Sequence, residues 1–110
     1  MRKLTNDEYN LVIFLLEDKP DTQQIVDTLH FREVEEMDDG GMGSLRFVSN
    51  DGTERKFGKE IAEFSLKDLD GIMVSFAIFF DEEGDIFELD IFKADFSPLI
   101  QFPSPPYTKP

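Results

Sequence analysis

The residue pair with the most chemical potential is Glu88 and Asp90. Both sit in the alternating run Phe87-Glu88-Leu89-Asp90-Ile91. As i and i+2 on a strand they project from one face about 6.6 Å apart, near the carboxyl separation of an inverting glycosidase. The chain has no Trp to act as a stacking platform, and a solvated sheet face bearing two acids is the simpler reading. Asp81, Glu83 and Asp85 alternate like the start of a calcium loop. Gly84 then falls at the fourth position instead of the sixth, and Phe92 stands at the twelfth in place of Glu. No dedicated metal site is expected, and no cofactor. The single His, His30, lies at a helix end without the positioned partners a nucleophilic triad needs, so a dipole or packing contact is expected of it. Gly52-Thr53-Glu54-Arg55-Lys56-Phe57-Gly58-Lys59-Glu60 has one residue too many between its glycines for a phosphate loop. Its Glu60 stands where a magnesium-binding Ser or Thr belongs.

Two acid clusters remain. Glu33, Glu35, Glu36, Asp38 and Asp39 are five acids in seven residues, and Asp81, Glu82, Glu83 and Asp85 are four in five. The whole chain of 110 residues carries a formal charge of −13. Such a field repels nucleic acid and anionic membrane. The absence of Cys excludes disulfides, Cys-ligated zinc, iron–sulfur clusters and thiol nucleophiles. No apolar stretch approaches the ~20 residues of a membrane helix. The basic start Met1-Arg2-Lys3 is followed at once by acids and by no small-residue cleavage site, so no signal peptide is read. These features suit a cytoplasmic protein. Carboxylates around aromatic residues suit a docking surface for a basic protein, with steered association. Many small basic proteins are nucleases, which makes an inhibitor a natural physical candidate.

The elements that must position these residues follow from periodicity. Thr5-Asn6-Asp7-Glu8 is a capping box ahead of a helix over 6–17, ended by Lys19-Pro20-Asp21. A second helix spans about 22–29. From Phe31 the period becomes two. A strand over Arg32–Met37, a turn at Asp38-Asp39-Gly40-Gly41 and a strand over Ser44–Val48 make a hairpin. Its register sets Arg46 opposite Glu33 or Glu35, with a cross-strand ion pair either way. Asn50-Asp51-Gly52 reads as a turn, 55–64 as a strand and 66–71 as a loop. Ile72–Phe80 and Asp85–Lys93 form the last hairpin, and a four-residue loop pairs Phe80 with Asp85. One face then carries Val74, Phe76, Ile78, Phe87, Leu89 and Ile91, and the other Phe79, Glu88, Asp90 and Phe92. The expected architecture is α+β: two N-terminal helices packed on one face of a four- to five-stranded antiparallel sheet. Residues 1–102 form the single domain, and 103–110 a Pro-rich extended tail that cannot join a sheet interior.

Several segments, in order, carry a resemblance over about residues 2–103: Met37-Asp38-Asp39-Gly40-Gly41-Met42-Gly43-Ser44-Leu45, Phe57-Gly58-Lys59-Glu60-Ile61, Asp70-Gly71, Phe87-Glu88-Leu89-Asp90-Ile91-Phe92-Lys93 and Asp95-Phe96-Ser97-Pro98-Leu99. The chain resembles a small bacterial family of unknown function whose members look like proteins encoded beside polymorphic toxins, including immunity proteins of contact-dependent growth inhibition. It departs from that pattern at Phe92, where a Trp is expected. The resemblance implies a cytoplasmic protein that binds and blocks one cognate toxin domain, and it implies no catalytic residues. The motif glycines most simply serve a tight turn, which leaves the partner surface to other residues. Glu33, Glu35, Glu36, Glu82, Glu83, Glu88 and Asp90 are the expected contacts, with Phe79 and Phe92 as apolar anchors. The toxin is expected to be basic and nuclease-like. The alternatives are a small acidic interaction module outside toxin biology, including a homodimer through Phe79 and Phe92, and a hydrolase using Glu88 and Asp90.

Overall fold

A computed structural model describes residues 1–49 and 54–107 of the chain. The Asn50-Asp51-Gly52 turn lies outside these described residues. Helix α1 runs Asn6–Leu16. It begins where the sequence sets its cap: the Thr5 hydroxyl accepts from the Glu8 amide at 3.1 Å, and the Thr5 amide donates to the Glu8 carboxylate at 2.9 Å. Leu11, Val12, Leu15 and Leu16 are buried along one stripe. Helix α2, Gln23–Thr28, buries none of its own residues. Ile25 and Val26 are half-buried against the core, and only its C-cap Leu29 is fully enclosed.

The sheet has six strands, all antiparallel: β1 (Arg2–Lys3), β2 (Glu33–Glu36), β3 (Leu45–Phe47), β4 (Phe57–Lys67), β5 (Met73–Asp81) and β6 (Ile86–Lys93). Their spatial order is β1-β2-β3-β6-β5-β4. The count exceeds the expected four to five because Arg2 and Lys3 pair with Val34 and Glu33 at one edge, a two-residue strand too short to show periodicity. Strand β4 starts two residues later than expected and takes in Leu66 and Lys67. Leu45, Phe47, Phe64, Val74, Phe76, Ile78, Leu89 and Ile91 share one apolar core with α1.

From Glu88 to Lys93 and along β5 the last hairpin keeps its predicted faces, but Ile86 and Phe87 exchange theirs and the register differs. Phe79 pairs with Glu88, Ala77 with Asp90 and Ser75 with Phe92, two residues away from the expected alignment. One residue of this offset comes from the turn. Asp81 and Asp85 close it, with the Asp81 amide donating to the Asp85 carbonyl at 2.8 Å. Gly84 takes φ +88°, a left-handed value that glycine reaches without steric penalty. The other comes from a bulge between the Phe79 and Phe80 pairings. A bulge sets two consecutive residues against one partner. Ile86 consequently enters the core, and Phe87 leaves the apolar face expected for it.

The C-terminal segment folds back on the domain. Phe102 lies edge-on to Phe76 at 6.2 Å, and Tyr107 packs on Phe14 at 4.7 Å and Phe64 at 6.2 Å. Within the described residues, the Pro-rich stretch read as an extended tail is therefore held by its tyrosine against α1 and β4.

Candidate functional site

The face of the sheet opposite α1 gathers most of the residues singled out by the sequence. The register places Glu35, Arg46, Glu88, Phe79 and Glu60 in one row across β2, β3, β6, β5 and β4. Asp90, Ala77 and Glu63 form the next row, and Phe92, Ser75 and Ser65 the one after. Arg46 does sit opposite Glu35, one of the two registers the sequence allowed. The ion pair expected across that hairpin forms elsewhere: Arg46 Nε donates to Glu88 Oε2 at 2.8 Å, and Nη2 to the same oxygen. Glu35 and Glu88 flank Arg46 on its two neighbouring strands, and Arg46 pairs with Glu88, the buried one.

The solvated position expected for Glu88 is corrected. Its exposure is 1 %; Arg46 binds it, and the bulge brings Phe87 out beside Phe57 at 4.9 Å. The guanidinium carbons of Arg46 and Arg55 lie 5.3 and 4.8 Å from the Phe87 ring centre, within the range of cation–π attraction. Asp90 is half-buried beside Glu88, and its Oδ1 is buried with no hydrogen-bond partner among the described residues. Burial, then the hydrogen-bonding contact with the Glu88 carboxyl and the Glu88 charge, push the Asp90 carboxyl up to about 7. Arg46 opposes this and Asp39 adds to it. Glu88 is buried and its carboxylate is taken by Arg46, which differs from the open pair of carboxyls that an inverting hydrolase sets around a water.

The acid clusters divide. Glu33, Glu35, Glu36 and Asp38 are exposed along β2 and the turn after it; Glu36 also pairs with Arg2 at 3.3 Å. Glu82 and Glu83 are exposed at the β5–β6 tip, apart from the rows above. Asp81 and Asp85 are engaged internally. Asp81 accepts from the amides of Glu83 and Asp85 and from Arg55, and Asp85 is gripped by Arg32 at 3.1 and 2.9 Å. No cluster of three potential metal ligands occurs among the described residues. His30 is exposed and lies 4.0 Å from the ring of Phe31. Sequence reasoning missed Arg46, Phe57 and Phe87 as parts of the outer face. The signal for Phe87 was weak, since alternation alone cannot reveal a bulge.

The motif residues have structural work. Asp39 accepts from the amides of Met42, Gly43 and Ser44; these bonds hold its carboxyl below the usual range against the opposing effect of burial. The Ser44 hydroxyl donates to the Ile91 carbonyl and accepts from its amide. Gly41, at φ +85°, accepts from the Leu99 amide, and an added Cβ would crowd Pro98. A Cβ on Gly58 would overlap the Asp81 carbonyl. Lys93 is fully buried on the core side. Its Nζ donates to Asp68 at 2.9 Å, to Asp70 at 2.7 Å and to the Pro98 carbonyl at 3.3 Å. Asp68 also accepts from the amides of Leu69, Ile100 and Gln101.

The shared pattern thus builds much of the fold; the exposed acids Glu33, Glu35, Glu36, Glu82 and Glu83 lie outside it, whereas the exposed Phe57, Phe92 and Phe96 lie within it. No curated protein and no solved structure matches the chain. A family model described as a domain of unknown function matches residues 1–103, nearly the full length, and the chain belongs to that family, DUF6984.

Proposed function

We propose that this chain is an immunity protein, which binds and neutralises a cognate contact-dependent growth inhibition toxin in the cytoplasm. The toxin domain is basic and nuclease-like, and inhibition comes from occluding its active site with carboxylates that stand in for substrate phosphates. The observation that carries this reading is the segregation of charge. Arg32, Arg55 and Lys93 have side chains no more than 8 % exposed and are paired inside with Asp85, Asp81, Asp68 and Asp70. Among the described residues, Glu33, Glu35, Asp38, Glu82 and Glu83 are exposed and form no ion pair. Lys3, Lys56, Lys59 and Lys67 are exposed too, but exposed acids outnumber them among the described residues, so the surface is anionic and its field draws in a cationic protein and repels phosphate.

The test is co-purification with the product of the neighbouring reading frame at low salt, followed by inhibition of that product's activity. A stoichiometric complex whose association slows steeply with added salt is expected. Reversal of Glu82 and Glu83 to Lys should slow association about ten-fold and flatten its salt dependence. A toxin fully active in the presence of excess chain overturns the proposal.

A further inference from the structure

The outer face carries large residues at its two ends and small ones between. Phe79, edge-on to Phe57 at 5.6 Å, stands at one end. Met73, Phe92 and Phe96 stand at the other, 45, 45 and 69 % exposed, and Phe96 packs on Phe92 at 5.1 Å. Between them Ala77 lies level with Asp90. Exposed apolar groups gathered on one face mark a contact surface, and the charges around Asp90 say what kind of partner fits. Glu88 neighbours it on β6, Asp39 faces it from the turn after β2, and Glu63 lies beyond Ala77 on β4. Arg46 is the cation that faces it, and Arg46 is held by Glu88. The centre of the face is thus short of positive charge; Asp90 is half-buried, and its enclosed Oδ1 has no hydrogen-bond donor among the described residues.

We propose that this face receives a basic segment of the partner protein, with an arginine or lysine side chain lying over Ala77 and its cationic head on Asp90, between Phe79 and Phe92. The proposal rests on the reading of the chain as a binder of a basic protein, and it names the face used. Aromatic groups on either side suit a cation with an aliphatic stem. Burial and the Glu88 carboxyl hold the Asp90 carboxyl up to about 7, so it is partly protonated at neutral pH and more fully below, and an incoming cation must displace that proton. Docking therefore releases a proton and weakens as pH falls.

The test uses the full chain and a capped hexa-arginine peptide as probe, at about 0.15 M salt. Amide shifts in the nuclear magnetic resonance spectrum should be largest at Ala77, Phe79, Asp90 and Phe92. Affinity should fall several-fold from about pH 8 to pH 6. Ala77→Arg supplies the guanidinium from within. It should return the Asp90 titration toward an ordinary carboxylate and weaken peptide binding roughly ten-fold. Phe92→Ser, at an exposed site, should weaken it several-fold with folding intact. Shifts centred on Glu33–Asp38 or on Glu82 and Glu83, or variants that bind as the wild type does, overturn the proposal; so does a homodimer that Ala77→Arg dissociates. The same variants separate the two readings. A toxin that binds Ala77→Arg undiminished rejects this face and leaves toxin binding intact. Peptide shifts on the face with no toxin captured keep the face and reject the toxin.

Discussion

Two groups of buried charge lie on opposite faces of the same sheet, both involving β6, and they are built in opposite ways. On the core side, Lys93 donates to three acceptors, and Asp68 accepts from Lys93 and three amides. Lys93 is raised above its ordinary value and Asp68 held well below its own, in each case because hydrogen bonds and opposite charge outweigh burial. Both groups are thus fixed in their charged forms. On the outer side, Asp90 is crowded against Glu88 and lacks a donor for one oxygen. A satisfied buried network specifies structure, whereas an unsatisfied one is a cost the fold carries. The difference marks the Lys93 cluster as architecture and the Asp90 pair as the place where an outside group has something to gain.

Lys93→Met should have the largest effect. It strands Asp68 as a buried, unpaired carboxylate and releases Pro98, so the thermal midpoint should drop by more than about 10 °C. A scan of the variant beside the wild type checks this. The cluster also sets a pH window. Asp68 is lowered, so its contribution is present above the ordinary carboxylate range and is lost as the pH falls through the folded value. Lys93 is raised, so its contribution is present below the ordinary lysine range and is lost as the pH climbs past it.

A smaller effect of opposite sign is expected from Asp90→Asn. The folded state holds the Asp90 proton up to about pH 7, whereas the unfolded chain gives it up near 3.9. Stability therefore declines as pH rises between those values. Asn resembles the protonated acid, so the variant should gain about 1 kcal/mol at alkaline pH and nothing in acid. Urea unfolding at the two pH values measures the gain, and a loss at both would mean Asp90 is structural after all. Smallest of all, Glu33→Gln and Glu35→Gln should move stability by no more than about 0.5 kcal/mol while slowing association with the partner.

Much of the fold was legible because local chemistry and the global fold agree. Thr5 and Glu8 announce the start of α1, and the even-numbered residues of β5 belong to the core as alternation requires. Beyond the bulge the faces of the last hairpin survived a two-residue error in register, since an even shift preserves parity, while Ile86 and Phe87, next to the turn, changed sides. What was not legible depended on long-range partners. Parity does place Lys93 with Val74 and Phe76, but only the folded chain brings Asp68, Asp70 and Pro98 to meet it. Glu88 was expected in water for a related reason: its cover comes from Arg46, some forty residues earlier in the sequence. The outer face was found in part, through Phe79, Asp90 and Phe92, while Phe87 was hidden by the β5–β6 bulge and Phe57 by an irregularity in pairing at the start of β4.

The bonds from Ile100 and Gln101 to Asp68 have a consequence for biosynthesis. A ribosome that has made β1 to β6 has delivered every strand, yet Asp68 still lacks two of its donors and the 37–44 turn still lacks Leu99. Translation must proceed past these late residues before the nascent sheet can settle, so the domain closes only once the 99–101 segment is free to reach Asp68 and Gly41.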